Sequence, residues 1–363
     1  MQKGNYSTAE AGSQLIIPIF VMHSGCPHRC IFCNQKITAG NYPREINREY
    51  FDNEVKSYLQ WNRKKSARVE IAFYGGSFTG IDPLYQEMLL SWAQSYIQAG
   101  FVHAVRVSTR PDYINPAILA LLDKYNVTTV EIGAQSFVDK VLHYAGRGHD
   151  AAATVAAIRL LQENNFQTGL HLMVGLPRDD EAGFFYSLEK TIELRPDTVR
   201  IHPVVVFRQT ALAREWERGN YRPLELLRAV SLCAAAREKL SAAGIRVIRT
   251  GLHWTKEMEK DGAVLAGPLH PAFGSLVLAA IYYDKIKELL NQLSPAAAEL
   301  CFILNERDVS DFRGWRNSNI TAIKKLCPQA VINVRTAPEQ KRGVISVAAD
   351  GGNFLTAAIA GIN

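Results

Sequence analysis

Residues 15–33 read LIIPIFVMHSGCPHRCIFC, a short apolar run over 15–22 followed at once by Cys26, Cys30 and Cys33. The run is too short for a buried helix and rich in isoleucine and valine, so it reads as a buried strand leading into a cysteine-bearing loop. The same rhythm continues outward from it. Further strand-like runs lie at 69–74, 104–108, 128–133, 169–174, 198–204 and 244–248, with helix-like stretches at 49–61, 83–98, 116–125, 151–164, 180–193 and 223–241. Asn115-Pro116 marks a helix start and Gly244 a helix stop. Repeated strand–helix alternation predicts a parallel sheet covered by helices, and the periodicity fits a barrel and a doubly wound sheet equally well. The strand ends favour the barrel. Gly75-Gly76-Ser77, Thr109-Arg110-Pro111, Gln135-Ser136 and Gly175-Leu176-Pro177 each follow a strand, and (β/α) barrels build their sites from such loops.

After residue 250 the rhythm changes. Residues 251–275 are rich in Gly, Pro and His; a helix is expected over 276–290, then a strand over 300–304, a helix over 317–326 and strands over 331–334 and 343–347. The expected organisation is a core of residues 1–250, then a covering segment and small α/β appendage over 251–363. Composition narrows the classes. With 47% hydrophobic and 21% charged residues in 363, the chain is an ordinary globular protein, and its net charge of +6 permits an anionic partner without requiring one. No apolar run approaches the roughly 18–20 residues needed to cross a bilayer. The polar opening MQKGNYSTAEAGS has no secretory apolar stretch, so a cytoplasmic protein away from membranes is expected. In that reducing compartment, 6 cysteines are not a disulfide framework, and a close cluster of them points to metal or catalysis.

Three thiolates spaced as Cys26, Cys30 and Cys33 suit three irons of a cubane cluster and leave the fourth iron open. Zinc is the alternative, since thiolates are soft ligands and His23 or His28 is available as a fourth donor. Cys233, Cys301 and Cys327 lie in apolar stretches and read as small core residues.

The C-x3-C-x2-C spacing, with Phe32 before the last cysteine, resembles the signature of the radical S-adenosylmethionine (SAM) superfamily. That resemblance implies a partial (β/α)6-type barrel, a [4Fe–4S] cluster on Cys26, Cys30 and Cys33, SAM as cofactor and a reducing electron donor. It also implies the chemistry: one electron cleaves SAM to methionine and a 5′-deoxyadenosyl radical that abstracts hydrogen from substrate. By the same resemblance Gly75, Gly76 and Ser77, with Tyr74 before them, receive the amino group of SAM. At later strand ends Arg110, beside Thr109, suits SAM's carboxylate or a surface ion pair, Gln135 and Ser136 suit its ribose or a helix cap, and Met173 and Val174 resemble the family's adenine-packing segment or form a plain strand-to-turn. In series, GGSFTG, STRPDY, GAQS with RGH, and MVGLP resemble the catalytic subunit of Elongator and its bacterial relatives over about residues 15–250. That implies RNA, specifically a tRNA uridine, as partner. The chain departs from Elongator in its closer first two cysteines. Its tail also reads as unlike an acetyltransferase, so the radical step is expected without that domain.

Substrate contacts are expected from later segments. His202 is a candidate for proton transfer and Tyr221 for radical relay or base stacking, each with a plainer reading as a strand-end histidine or a loop anchor. His253, Trp254, His270 and Phe273 are expected near the barrel mouth, and Arg313, Trp315, Arg316, Lys324 and Lys325 suit phosphate contact. A small-molecule substrate, as in the oxygen-independent coproporphyrinogen oxidases, and a non-enzymatic metal-bearing RNA-binding module are the competing readings. Cys26→Ala, Cys30→Ala and Cys33→Ala are each expected to abolish the bound cluster, whereas Cys233→Ser leaves iron unchanged. Iron and sulfide analysis after anaerobic reconstitution checks both.

Overall fold

The computed structural model describes residues 14–22, 25–40, 42–43, 45–61, 68–294 and 296–362. The polar opening of the chain and His23 lie outside the described residues. Seven strands form one parallel sheet in chain order: β1 (Gln14–Phe20), β2 (Arg68–Tyr74), β3 (Ala104–Thr109), β4 (Val127–Gln135), β5 (Gln167–Val174), β6 (Thr198–Pro203) and, after a two-residue β7 (Val206–Phe207), β8 (Arg246–Thr250). The edge strands β1 and β8 do not pair with one another, so the sheet curls as an open partial barrel. All seven strands expected from the sequence are present, one more than the (β/α)6-type barrel that the resemblance implies.

Local chemistry sets the boundaries of the covering helices. Asn115 caps the helix Pro116–Lys124 by accepting from the Ile118 N–H, and Asp82, Asp150, Asp180 and Thr210 cap four others in the same way. Gly244, at φ +77°, takes the left-handed conformation that ends the helix Leu226–Ala242. Ile71, Phe73, Val105, Val107, Val130, Ile132, Leu170 and Leu172 turn outward from the strands and are fully buried beneath the helices. Each such side chain contributes roughly 1.5–3 kcal/mol of apolar burial. The alternate residues turn inward, and many of them are charged.

β7 pairs antiparallel with β9 (Val264–Ala266) beside the barrel. The tail forms a four-stranded mixed sheet from β10 (Glu299–Leu304), β11 (Val331–Thr336), β12 (Val344–Ala349) and β13 (Leu355–Ala358), in the order β11-β10-β12-β13. β13 has no counterpart among the sequence expectations, because its run is short and half-exposed. Residues 273–290 form one helix that packs on Leu226–Ala242, and its buried face joins the barrel's core to that of the tail. Phe302 and Phe312, with ring centroids 5.0 Å apart, are fully buried in that shared core. Among the described residues no helix is long and apolar enough to cross a membrane. Phe302→Ala is expected to cost about 3–5 kcal/mol, read as a lowered urea midpoint with iron-binding capacity retained in the folded fraction.

Candidate active site

The three cysteines occupy a loop that the fold grips from two sides. Gly25, at φ +72°, and Gly80 meet backbone to backbone; a Cβ on Gly25 would collide with the Ser77 carbonyl, and one on Gly80 with the Gly25 carbonyl. On the other side the Ile31 N–H donates to the Ala145 carbonyl at 3.0 Å, and Gly148 lies directly under the His28 ring. A Cys33 N–H to Cys30 carbonyl bond of 3.0 Å tightens the loop itself.

Charge surrounds the thiols. Arg147 is buried and donates from Nη1 to Cys30 Sγ at 3.1 Å, while Nη2 donates to the Gly133 carbonyl. The β4–β5 ladder is interrupted between Ile132 and Gln135, where that carbonyl lies. Cys33 opens onto the barrel cavity but is ringed by protein elsewhere. That desolvation, then Cys30 and Cys26, pushes its thiol up to about 12. Burial and then Cys30 likewise push Cys26 up, opposed by Arg110 and Arg147. Three thiolates therefore need a positive partner to be stable here, as an iron cluster provides. Two buried guanidinium nitrogens, Arg110 Nη1 and Arg147 Nε, have no hydrogen-bond partner. Among the described residues, no three His, Cys, Asp or Glu side chains converge on the point that a single metal ion requires. A cubane cluster distributes its thiolates over separate irons, so the donor set fits a cluster better than one tetrahedral ion.

From Cys33 a cavity of about 2060 Å³ runs down the barrel interior. Phe32, Tyr74, Gly75, Gly76, Gln135, Met173 and His202 line it, as expected of strand-end residues. Gly75 takes φ +102° and Gln135 φ +73°, both left-handed, and both turn the chain at a strand end. Other expected residues are turned elsewhere. Ser77 and Thr109 are buried in a hydroxyl cluster with Thr79, at 2.8 Å and 2.6 Å, behind the cysteine loop. Arg110 forks onto Asp112 at 2.9 Å and 2.7 Å, so its guanidinium is already engaged by a carboxylate. Ser136 is buried, accepts from the Val138 N–H and meets Ser187, which makes it a turn residue and not a ribose contact. Val174 packs outward in the helix-covered core. The Tyr221 hydroxyl donates to the Gly175 carbonyl at 2.6 Å, so this tyrosine anchors a loop away from the cavity.

His253 reaches the cavity, whereas Phe273 is buried against Gly251 and His270 meets Trp315 edge-on in the tail. Trp315 is exposed with Arg316 over its ring, on the appendage.

The interior's charge escaped the sequence reading. Glu131, fully buried on β4, accepts from the Tyr74 hydroxyl at 2.9 Å, Arg106 Nη1 at 3.0 Å and Arg200 Nη2 at 3.0 Å, and pairs with His171 Nε2 at 2.7 Å. Burial alone would raise its carboxyl, but the His171 bond and the Arg200 and Arg106 charges outweigh that and hold it well below the usual range. Arg106 also forks onto Glu70, and Arg68 pairs with Glu70 at 2.9 Å. The signal was present as polar residues at every second position, Arg68-Glu70 on β2 and Arg200-His202 on β6. Strands buried under helices on one face need polar alternates only if the other face encloses water or a ligand.

Residues 20–188 match the Radical SAM superfamily, and residues 196–283 match the Radical_SAM C-terminal domain. The tRNA uridine(34) acetyltransferase of Methanocaldococcus jannaschii is 25% identical over 262 residues, 61% of this chain and 48% of that protein. Protein YhcC of Escherichia coli is 28% identical over 219 residues, 56% of this chain and 69% of that protein. The chain therefore spans about half the length of the archaeal relative. The solved structure of Methanocaldococcus infernus Elp3 with residues 1–46 deleted has the same fold, with a TM-score of 0.58 at 19% identity over 76% of this chain and 64% of that one.

Arg147 donates to a cysteine sulfur of the loop, Cys30 Sγ, and brings a full positive charge to it. Hydrogen bonds and positive charge at ligand sulfurs favour the reduced form of a cluster. Arg147→Gln is expected to lower the midpoint potential of the reconstituted cluster, with Arg147→Lys in between. A redox titration followed by electron paramagnetic resonance checks this.

Proposed function

From the premise that this chain belongs to the radical SAM superfamily and is an enzyme using a [4Fe–4S] cluster and SAM, we propose that it modifies a nucleotide of RNA, with tRNA uridine as the leading substrate. The observation that carries this reading is the cavity of about 2060 Å³ that joins the three-cysteine loop to a charged barrel interior. It has room for a nucleotide beside SAM, and its polar walls suit neither a lipid nor a purely apolar substrate. The likeness to an archaeal tRNA uridine(34) acetyltransferase supports RNA as the substrate class. Because that likeness covers 48% of the relative, acetyl transfer is not carried over to this chain.

In this reading Cys26, Cys30 and Cys33 hold the cluster. Gly75 and Gly76 bare the strand-end backbone for the SAM amino group, Gln135 serves the ribose, and Met173 and Phe32 flank the adenosyl group. When bound, the reduced cluster and SAM supply a 5′-deoxyadenosyl radical for hydrogen abstraction. Tyr74 and Arg200, fixed on Glu131, keep the chamber wall rigid. His202, whose ring lies 5.9 Å from that of His171, faces the same chamber. Burial, then His171, Arg200 and Arg249, hold His202 well below its ordinary pKa, so it stands as a neutral ring that can hydrogen-bond substrate without becoming charged. We place the enzyme in the cytoplasm, with a reducing protein as electron donor.

The test is anaerobic reconstitution, dithionite reduction and assay of 5′-deoxyadenosine from SAM, with and without bulk tRNA. Product is expected from the wild type and none from Cys33→Ala. tRNA is expected to raise turnover and to bind with an affinity that falls steeply with salt. Cleavage indifferent to tRNA, with salt-independent or no binding, would move the substrate to a small molecule. Uptake of zinc without SAM cleavage would make the cysteines structural.

A further inference from the structure

The inner face of the barrel carries more positive charge than its own residues neutralise. Arg68, Arg106, Arg195, Arg200, Arg246 and Arg249 line the cavity, against Glu70 and Asp197 in the same lining and Glu131 on the inner face. Six guanidinium groups against three carboxylates leave an excess of positive charge. Arg68 pairs with Glu70, Arg106 with both Glu70 and Glu131, and Arg200 with Glu131. Arg249 forms neither an ion pair nor a hydrogen bond among the described residues.

The backbone is distorted to put Arg249 there. β6 and β8 run in register at Val199↔Val247, and then the register slips so that Arg200 faces Arg249 and not Ile248. On the other side of β6, Arg200 faces His171, and Met173 faces His202. The slip therefore sets His171, Arg200 and Arg249 in one rung across three strands. A bulge that brings two like charges side by side is unfavourable unless a counter-charge is present, and bulges next to active sites commonly re-aim a side chain. His202 Nε2 is buried in the same region with no partner, and His253 completes the lining. Burial and then the Arg249 charge hold His253 below its ordinary pKa, and burial and then Arg200 do the same to Arg249, against the opposing pull of Tyr74 and Glu131.

We infer that Arg249, with Arg200, His202 and His253, forms a subsite for a phosphate group of the substrate at the open edge of the barrel. An excess of positive charge concentrated at this edge suits a phosphate dianion, or two neighbouring phosphodiesters, better than a single carboxylate. The Arg249 guanidinium can present parallel N–H donors to phosphate oxygens, and Arg200, held on Glu131, adds its charge. β8 is the edge strand, and the gap between it and β1 gives a polynucleotide a way to place one residue inside while its chain stays out. This rests on the cavity being the substrate chamber of the proposed radical SAM reaction.

The experiment is calorimetric titration of the reconstituted, SAM-loaded protein with inorganic phosphate and, separately, with acetate. Saturable phosphate binding is expected, at least tenfold tighter than acetate and weakened at least tenfold in Arg249→Gln. Arg249→Lys is expected to recover part of it, and Arg316→Gln, on the appendage, to leave it unchanged. Iron content of each variant reports whether it has folded. Displacement of bound phosphate by tRNA would assign the group to RNA, and displacement by uridine monophosphate alone to a free nucleotide; either upholds the subsite. Absence of saturable phosphate binding, a preference for acetate, or full phosphate binding in a folded Arg249→Gln protein would overturn it. A protein that forms 5′-deoxyadenosine yet binds no phosphate would lose the subsite and keep the reaction; one that binds phosphate without cleaving SAM would lose the reaction.

Discussion

Glu131 is the constraint on which the barrel interior depends. Its carboxylate receives Tyr74 from β2, Arg106 from β3, His171 from β5 and Arg200 from β6, so one side chain on β4 ties five strands across their inner faces. A buried carboxylate is tolerable only with such partners, and breaking a buried pair from one side leaves a charge uncompensated at a cost of about 3–5 kcal/mol. The network thus does for the inner face what apolar packing does for the outer one. It also keeps the inner face polar, and a polar inner face is what allows a barrel of this size to hold a chamber.

The same division of labour governs the cysteine loop. Its backbone is pinned by close approach, Gly25 on Gly80 and Gly148 beneath His28, where any side chain would intrude. Its sulfurs are balanced by charge, with Arg147 on Cys30 and Arg110 held behind by Asp112. The RGH segment after β4 therefore serves the cysteine loop directly, although more than a hundred residues of sequence separate Cys30 from Arg147. Rigid backbone and preset charge are what a site needs if a bound cluster is to keep one geometry through electron transfer.

The family matches extend over the barrel and, as far as residue 283, into the segment that follows it. The tail beyond adds a mixed sheet whose core is continuous with the barrel's through the helix Phe273–Leu290. Its exposed Trp315 and Arg316 are on the surface and take no part in lining the chamber. Specificity is accordingly sought inside the barrel, among Arg200, His202, Arg249 and His253.

Strand–helix alternation, the helix start at Asn115-Pro116 and stop at Gly244, and the spacing of Cys26, Cys30 and Cys33 were legible in the sequence because each is a local property. Periodicity, a cap and a short motif act within a few residues. The residues bordering the cavity at Phe32, Gly75, Gly76, Gln135 and Met173 were legible for a related reason: in a parallel barrel the ends of consecutive strands must meet. Which side chain at a strand end turns inward was decided by tertiary structure alone. Ser136 is claimed by Ser187, Arg110 by Asp112 and Tyr221 by Gly175, partners that local periodicity does not identify. The Glu131 network and the slip that sets Arg249 beside Arg200 likewise exist only once five or more strands are in register. The sequence by itself determined the elements and the metal-binding chemistry, and folding alone determined which charges meet, because burial and pairing across strands are properties of the assembled sheet.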